Sequence, residues 1–271
     1  MPGGKASQLP NGGIMRTATS VTKLCRVMEQ LQERQPLGIT DLARRTELLP
    51  SDVHRILASL RLFGYVEQDP ETKKYRLGFS LLRIGLSAFF GNHLCEEAHP
   101  ILVRLSQKID AATRIAILDR RELKLFLVDH VKGPNNLSFG INLGVPERLH
   151  STALGKSIIA NLNSDLAFSA LKKNGLTRYT RHTITDPSVL AQEFENIRRL
   201  GYAVDREEDL EGICCLASPL RNSEGIVVGA LSTTMPSSEF IAWDEVYLGA
   251  HIKAAASQVS ATLGTSRESL V

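Results

Sequence analysis

Residues 38–78 read GITDLARRTELLPSDVHRILASLRLFGYVEQDPETKKYRLG, and their pattern decides the front of the fold. Val53, Ile56, Leu57 and Leu60 recur at i, i+3, i+4 and i+7, which predicts one apolar stripe on a helix over 52–63. Ser51 is placed to cap that helix and Gly64 to stop it. Upstream, Thr40 caps a short helix that runs to Thr46, and Glu47-Leu48-Leu49-Pro50 is the turn between the two. Downstream, Tyr65–Gln68 and Lys73–Leu77 read as short strands around Asp69-Pro70. Before all of these, Val21, Leu24, Met28 and Leu31 share a face of a helix over 19–33, ended by Gln35-Pro36. Three helices followed by a hairpin are the plan of a winged helix-turn-helix.

Outward from this block the chain changes character. Residues 1–91 hold 13 Lys and Arg against 8 Asp and Glu, a net +5, whereas 92–271 hold 19 against 21, a net −2. A basic front on a mildly acidic back suggests two domains with different partners, the front one attracting phosphate. The expected division is a disordered tail over 1–18, a DNA-binding domain over 19–78, a linker helix over 79–92 and an effector domain over 93–271. The linker, with Leu82, Leu86, Phe89 and Phe90 close to one face, is apolar enough to need covering by another subunit. In the back part, helices are predicted over 97–109, 152–161, 165–173, 187–200 and 243–263. Strands are predicted over 113–119, 123–131, 136–142, 213–220 and 226–234. Strands in hairpins and helices in separate groups make the back part α+β.

With 271 residues, 43% of them hydrophobic, the chain has enough apolar surface for a real core, and its composition excludes a disordered or collagen-like protein. No window approaches 18 consecutive apolar residues, so no transmembrane helix is expected. The opening MPGGKASQLPNGG lacks the apolar core of a secretory signal. Cys25, Cys95, Cys214 and Cys215 have no metal-type spacing, and a reducing cytoplasm is the simplest compartment.

The helix over 52–63 has what a recognition helix needs: a docking stripe and an opposite polar face. Ser51, His54 and Arg55 on that face can reach base edges or phosphates. Arg44 and Arg45 suit phosphate contact, and Lys73, Lys74 and Arg76 on the hairpin can hold the backbone or enter the minor groove. The same pattern fits an amphipathic bundle with solvated charges, or a winged helix that binds protein.

Three stretches together give the chain a resemblance. Residues 38–78 look like the winged helix-turn-helix of the IclR family of bacterial transcriptional regulators. LHSTALGKSIIA (149–160) and GYAVDREEDLEGICCLASPLRNSEGIVVGALSTT (201–234) resemble the two most distinctive stretches of that family's effector domain. The likeness extends over essentially all of 19–265. It implies a GAF-like ligand domain, a dimer or dimer of dimers, a double-stranded operator and a small organic effector, often a carboxylate. It implies no cofactor and no enzymatic activity. By the resemblance, the backbone of Ala153 and Leu154 meets the ligand. Asp205, Cys215, Ser232 and Thr234 supply polar side chains, and Phe139 and Ile213 supply apolar walls. One departure is Asp52, where the family commonly carries threonine or another neutral residue.

The residues keep other readings open. Ser151–Lys156 opens a helix, and first-turn N–H groups favour a carboxylate. It is not a phosphate-binding loop, because the glycine required five residues before Gly155 is replaced by His150. Lys156 reads as a surface or structural residue. Cys214 or Cys215 with His150 would give a thiol nucleophile or sensor if burial and distance allowed. His93, Cys95, Glu97 and His99 match no zinc pattern, so no metal is expected. Asp205–Asp209 reads as a solvated acidic loop in which only Asp205 belongs to the pocket.

Overall fold

The computed structural model describes residues 19–90, 93–133 and 145–265, which form two compact units meeting in sequence at Gly91 and Asn92. The expected tail, the strand over 136–142 and Phe139 lie outside the described residues.

In the first unit, α1 (Thr19–Glu33), α2 (Ile39–Thr46) and α3 (Pro50–Leu62) precede an antiparallel hairpin, β1 (Val66–Gln68) and β2 (Tyr75–Leu77), and then α4 (Phe79–Phe90). Val27, Leu31, Leu42, Val53, Leu57, Leu60, Val66 and Tyr75 form its core. The α3 stripe is therefore the predicted one, with Ile56 at its edge. The α1 stripe is shifted at one position: Leu31 is buried and Leu24 and Met28 are half-buried against the core as expected, but Val21 is exposed and Val27 is buried instead. Tyr75 exchanges both backbone hydrogen bonds with Leu37 (2.8 and 3.0 Å), which ties the hairpin to the turn before α2.

The predicted caps differ from the observed ones. Gly38 caps α2 without a side-chain bond, so Thr40 lies inside the helix. α3 starts at Pro50, with Leu49 as its cap and Ser51 in the first turn. Proline suits that first position because its missing N–H would have no helical partner there. At the other end the expected stop is observed: Phe63 is the C-cap of α3 and Gly64 follows it at φ +71°.

The second unit is a six-stranded antiparallel sheet in the order β5-β4-β3-β8-β7-β6. Its strands are β3 (Ala112–Asp119), β4 (Lys124–Val131), β5 (Pro146–Glu147), β6 (Ala203–Arg206), β7 (Ile213–Arg221) and β8 (Val227–Pro236). Helices α5 (His93–Ile109) and α10 (Glu245–Thr265) supply one core, with Leu102, Ile252 and Val259 against Ile115, Leu216 and Leu231. Helices α6 (Ala153–Ile159), α7 (Ser164–Asn174) and α8 (Pro187–Leu200) supply the other, with Ile158, Leu190 and Phe194 against Ala116, Ala203 and Ala217. The short α9 (Ser237–Phe240) joins β8 to α10. β7 and β8 are covered on both faces, so their burial is nearly continuous along the strand instead of alternating, with Ser218, Ser232, Thr233 and Thr234 among the buried positions. The expected cap and stop of α8 are observed: Asp186 accepts from Ser188 and Val189, and Gly201 closes the helix at φ +80°. Among the described residues no helix is long and apolar enough to cross a membrane.

Candidate functional site

The exposed face of α3 carries Ser51, His54 and Arg55. Arg55 donates to Asp52 Oδ1 at 3.2 Å, and Lys23 of α1 donates to Asp52 Oδ2 at 2.6 Å. The Lys23 hydrogen bond holds the Asp52 carboxyl below the usual carboxylate range. The aspartate therefore does more than favour the helix dipole: it braces Arg55 against α1.

Arg44 and Arg45 are exposed on the last turn of α2, bonded to Asp41 at 2.8 Å and Gln30 at 3.3 Å. On the hairpin, Lys73 and Lys74 project from the turn, and Lys73 sits at φ +57°. That turn is built by Asp69, whose Oδ1 accepts from the Glu71 and Thr72 backbones and from the Thr72 hydroxyl. Arg76 is paired within the hairpin. It faces Glu67 in the hairpin register and bonds its carboxylate at 2.9 and 3.1 Å.

In the second unit a cavity of about 120 Å³ opens between the sheet and the start of α6. Its walls include Ala153, Leu154, Asp205, Ile213, Cys215, Ser232 and Thr234, seven of the eight positions that the resemblance named. The sheet register explains why they meet. Thr234 of β8 pairs with Cys215 of β7, and Cys215 pairs with Asp205 of β6, so one rung carries all three on one face. Ser232 shares that face two residues along β8. The Cys215 Sγ and Thr234 Oγ1 atoms lie 3.3 Å apart. At the start of α6, Thr152 accepts the Gly155 N–H at 3.0 Å and donates to the Arg148 carbonyl at 2.5 Å. A Cβ on Gly155 would lie 2.4 Å from the Arg148 carbonyl oxygen and 2.5 Å from Leu149 Cα, so only glycine lets this backbone press onto the helix.

The cavity is electrostatically unusual. Burial, reinforced by the charge of Glu208, pushes the Asp205 carboxyl up to about 7. Its Oδ1 accepts the Glu208 N–H at 2.7 Å. Glu147, also in the wall, is raised by burial and drawn back by Arg114.

The sequence of the whole chain matches two family models. One, described as bacterial transcriptional regulator IclR C-terminal, covers residues 87–261, and the other, the IclR helix-turn-helix domain, covers 20–70. The chain belongs to the IclR family. Among curated relatives, the HTH-type transcriptional regulator KdgR of Escherichia coli K12 is 29% identical over 248 residues, covering 92% of this chain and 94% of KdgR. Among solved structures, the Thermotoga maritima IclR superposes with a TM-score of 0.64 at 26% identity, covering 90% of this chain and 98% of that one. An IclR homologue from Microbacterium hydrocarbonoxydans, solved in complex with 4-hydroxybenzoate, gives a TM-score of 0.72 at 24% identity, over 90% and 99% of the two chains. The protein is thus an IclR-type transcriptional regulator with a helix-turn-helix DNA-binding domain.

Within this IclR protein Cys214 and Cys215 are not set up as nucleophiles. Burial, with the nearby Asp205 charge, pushes Cys214 up to about 11 and Cys215 higher still, whereas a reactive thiol needs the opposite shift. His150 is engaged elsewhere, its Nε2 2.9 Å from the Thr177 carbonyl and its ring against Tyr179.

The acidic loop is corrected as well. Glu208 is buried and bonds Lys156 at 2.6 Å, and Asp209 lines the cavity while accepting from Ser151 at 2.5 Å and Arg148 at 3.2 Å. These groups pack because the β6–β7 connection folds back over α6 instead of into solvent. Lys156 is accordingly structural and wholly buried.

Arg114, Glu147, Thr152, Asp209 and Leu210 also line the cavity and were not anticipated. One of them had a signal in the sequence. In TRIAILD, Arg114 occupies the face of β3 that otherwise carries Ala112, Ala116 and Leu118, and a charge among buried strand positions points to a specific partner or a site.

Proposed function

We propose that this regulator binds a palindromic operator as a dimer or tetramer, and that a small organic carboxylate in the cavity sets its affinity for DNA. The division into residues 19–78 for DNA, 79–92 as linker and 93–271 for effector belongs to the same reading, as does a purely regulatory, non-enzymatic role. The observation that carries it is the cavity itself, which gathers small, polar and apolar side chains from β6, β7, β8 and the start of α6. Support for a carboxylate comes from the 4-hydroxybenzoate held by the Microbacterium homologue. Support for self-association comes from α4, where Phe79, Leu82 and Ile84 are exposed on a 12-residue apolar helix. On the DNA side, Arg55, Ser51 and His54 face base edges in the major groove. Arg44, Arg45, Lys73, Lys74 and Arg76 face phosphates. A ligand shifts DNA affinity only through different affinity for two states, typically about 1–3 kcal/mol.

Selection of bound sequences from a random DNA pool tests the first half. The expected outcome is an enriched palindrome with half-sites about one helical turn apart. Salt-sensitive binding without enrichment, with and without a panel of small acids, overturns it. Calorimetric titration of the same acids against Ser232→Ala tests the second half, and wild-type affinity in that variant removes this cavity as the effector site.

A further inference from the structure

Arg114 and Asp205 stand at opposite ends of the cavity floor. Arg114 of β3 pairs with Ser232 of β8, and Ser232 with Ala217 of β7. The neighbouring rung begins at Ala112 and runs through Thr234 and Cys215 to Asp205 of β6. The cation and the carboxylate are three strands and two residues of register apart, about 16 Å between backbones at the usual strand spacing, and both line the same cavity. Their side chains close part of that distance. The lining is mixed: Arg114 stands on the β3 side with Glu147 in its field, Asp205 and Asp209 stand on the β6 side, and Ala153, Leu154 and Ile213 add apolar wall.

We propose that Arg114 is the anion anchor of this cavity, and that the effector lies across the strands as a compact hydroxy acid, its carboxylate on Arg114 and its hydroxyl groups on Asp205. This rests on the reading of the cavity as the effector site and adds its polarity and ligand class. A guanidinium pairs with a carboxylate through two parallel N–H donors, and the Ser232 hydroxyl on the same rung adds a third. At the far end Asp205 already accepts the Glu208 N–H through Oδ1, and a carboxyl group there receives hydrogen bonds from hydroxyl donors. A second carboxylate at that end would meet Asp205 as a like charge. Size points the same way. An engineered cavity of about 150 Å³ admits benzene, so about 120 Å³ suits a chain of three or four carbons.

The test is calorimetric titration of the full chain with glycerate, lactate, propionate, 1,2-propanediol and succinate. Glycerate is expected to bind at least ten-fold more tightly than propionate, and propanediol and succinate not to bind measurably. Arg114→Gln is expected to weaken glycerate at least ten-fold. Ser232→Ala, on the same rung, is expected to weaken it by a smaller factor, which keeps the anchor testable if the arginine variant folds poorly. Propionate binding as tightly as glycerate overturns the hydroxyl selection, and unchanged glycerate binding in Arg114→Gln overturns the anchor. Succinate binding more tightly than glycerate overturns the polarity. Binding of an acid that is insensitive to both Arg114→Gln and Ser232→Ala places the effector outside this cavity and so refutes the underlying reading; sensitivity to Ser232→Ala alone refutes only the anchor. Failure of every probe overturns the hydroxy-acid class.

Discussion

Lys156 is a wholly buried, doubly paired charge of the second unit, and replacing it with methionine has a calculable effect. Its side chain has no exposure, and its Nζ lies 2.6 Å from Glu208 Oε1 and 3.1 Å from Glu193 Oε1. The three residues join α6, the loop after β6 and α8. Methionine keeps the length and the packing but removes the cation, leaving Glu208, whose side chain is 8% exposed, as an unpaired buried carboxyl. Removing one member of a buried pair costs about 3–5 kcal/mol. Glu193 is 22% exposed and can rehydrate, so the lower end, about 3 kcal/mol, applies. With a urea dependence of about 2 kcal/mol per molar, the midpoint falls by about 1.5 M. The chain's single tryptophan, Trp243, packs against the α5–α10 core, so its fluorescence reports this unit alone. Lys156→Met/Glu208→Gln should recover most of the loss, because the buried charge is gone from both sides. The cost of Lys156→Met should also shrink at low pH, where Glu208, already raised by burial, takes up a proton. A midpoint shift below about 0.3 M, or a double variant no better than the single one, refutes the reasoning.

Asp205, pushed up to about 7 from an ordinary value of 3.8, binds its proton more tightly in the folded state, so its contribution to stability is complete below about pH 4 and is lost as pH rises through 7. Asp205→Asn should flatten the decline of the urea midpoint between those values, leaving the smaller slope from Glu147 and Glu208, which shift in the same direction. On the DNA side, Lys73→Ala should weaken binding to all sequences alike and reduce the log–log salt slope by about 0.9. Arg55→Ala should instead relax sequence choice, by about 1–3 kcal/mol at one base pair. Competition assays at two salt concentrations separate the two. Gly155→Ala should destabilise the second unit by at least about 1–3 kcal/mol, since its Cβ meets backbone at 2.4 Å; a wild-type melting curve contradicts this.

The parts of the fold that were legible share a physical feature: their local pattern and their tertiary burial agree. The α3 stripe and the Asp186–Gly201 frame of α8 are of this kind. The parts that were not legible depend on distant partners. β6 has four residues, three of them buried, and exists because β7 pairs with it. Lys156, Glu208 and Asp209 look like surface charges in a sequence, and only the folding of the 205–209 segment over α6 makes one a buried pair and another a cavity wall. All eight effector positions were carried by resemblance, not by spacing, because no local rule puts β6, β7 and β8 on one rung; seven of them line the cavity. Arg114 was missed although its place on a buried strand face was visible, since the resemblance assigned that face no charge.

Lys156 and the cations of the first unit are held in opposite ways, and this bears on which of them can exchange a partner for a phosphate. Lys156 is enclosed by carboxylates in a dry setting, where exchanging a partner is costly. The cations of α3 and the hairpin are in water, where an ion pair is worth little. Arg44 with Asp41 and Arg76 with Glu67 can therefore trade a carboxylate for a phosphate, but each trade releases an acid that then faces the phosphate backbone. Lys73 and Lys74 face no such exchange, since among the described residues neither has an acidic partner within ion-pair distance. They should consequently carry more of the salt dependence than Arg44 or Arg76. Arg55 is intermediate: its acid, Asp52, is also held by Lys23, so when the guanidinium turns to a base edge the carboxylate keeps a counter-charge and stays in place. An arginine whose brace survives its departure can read bases without sending a free carboxylate toward the DNA.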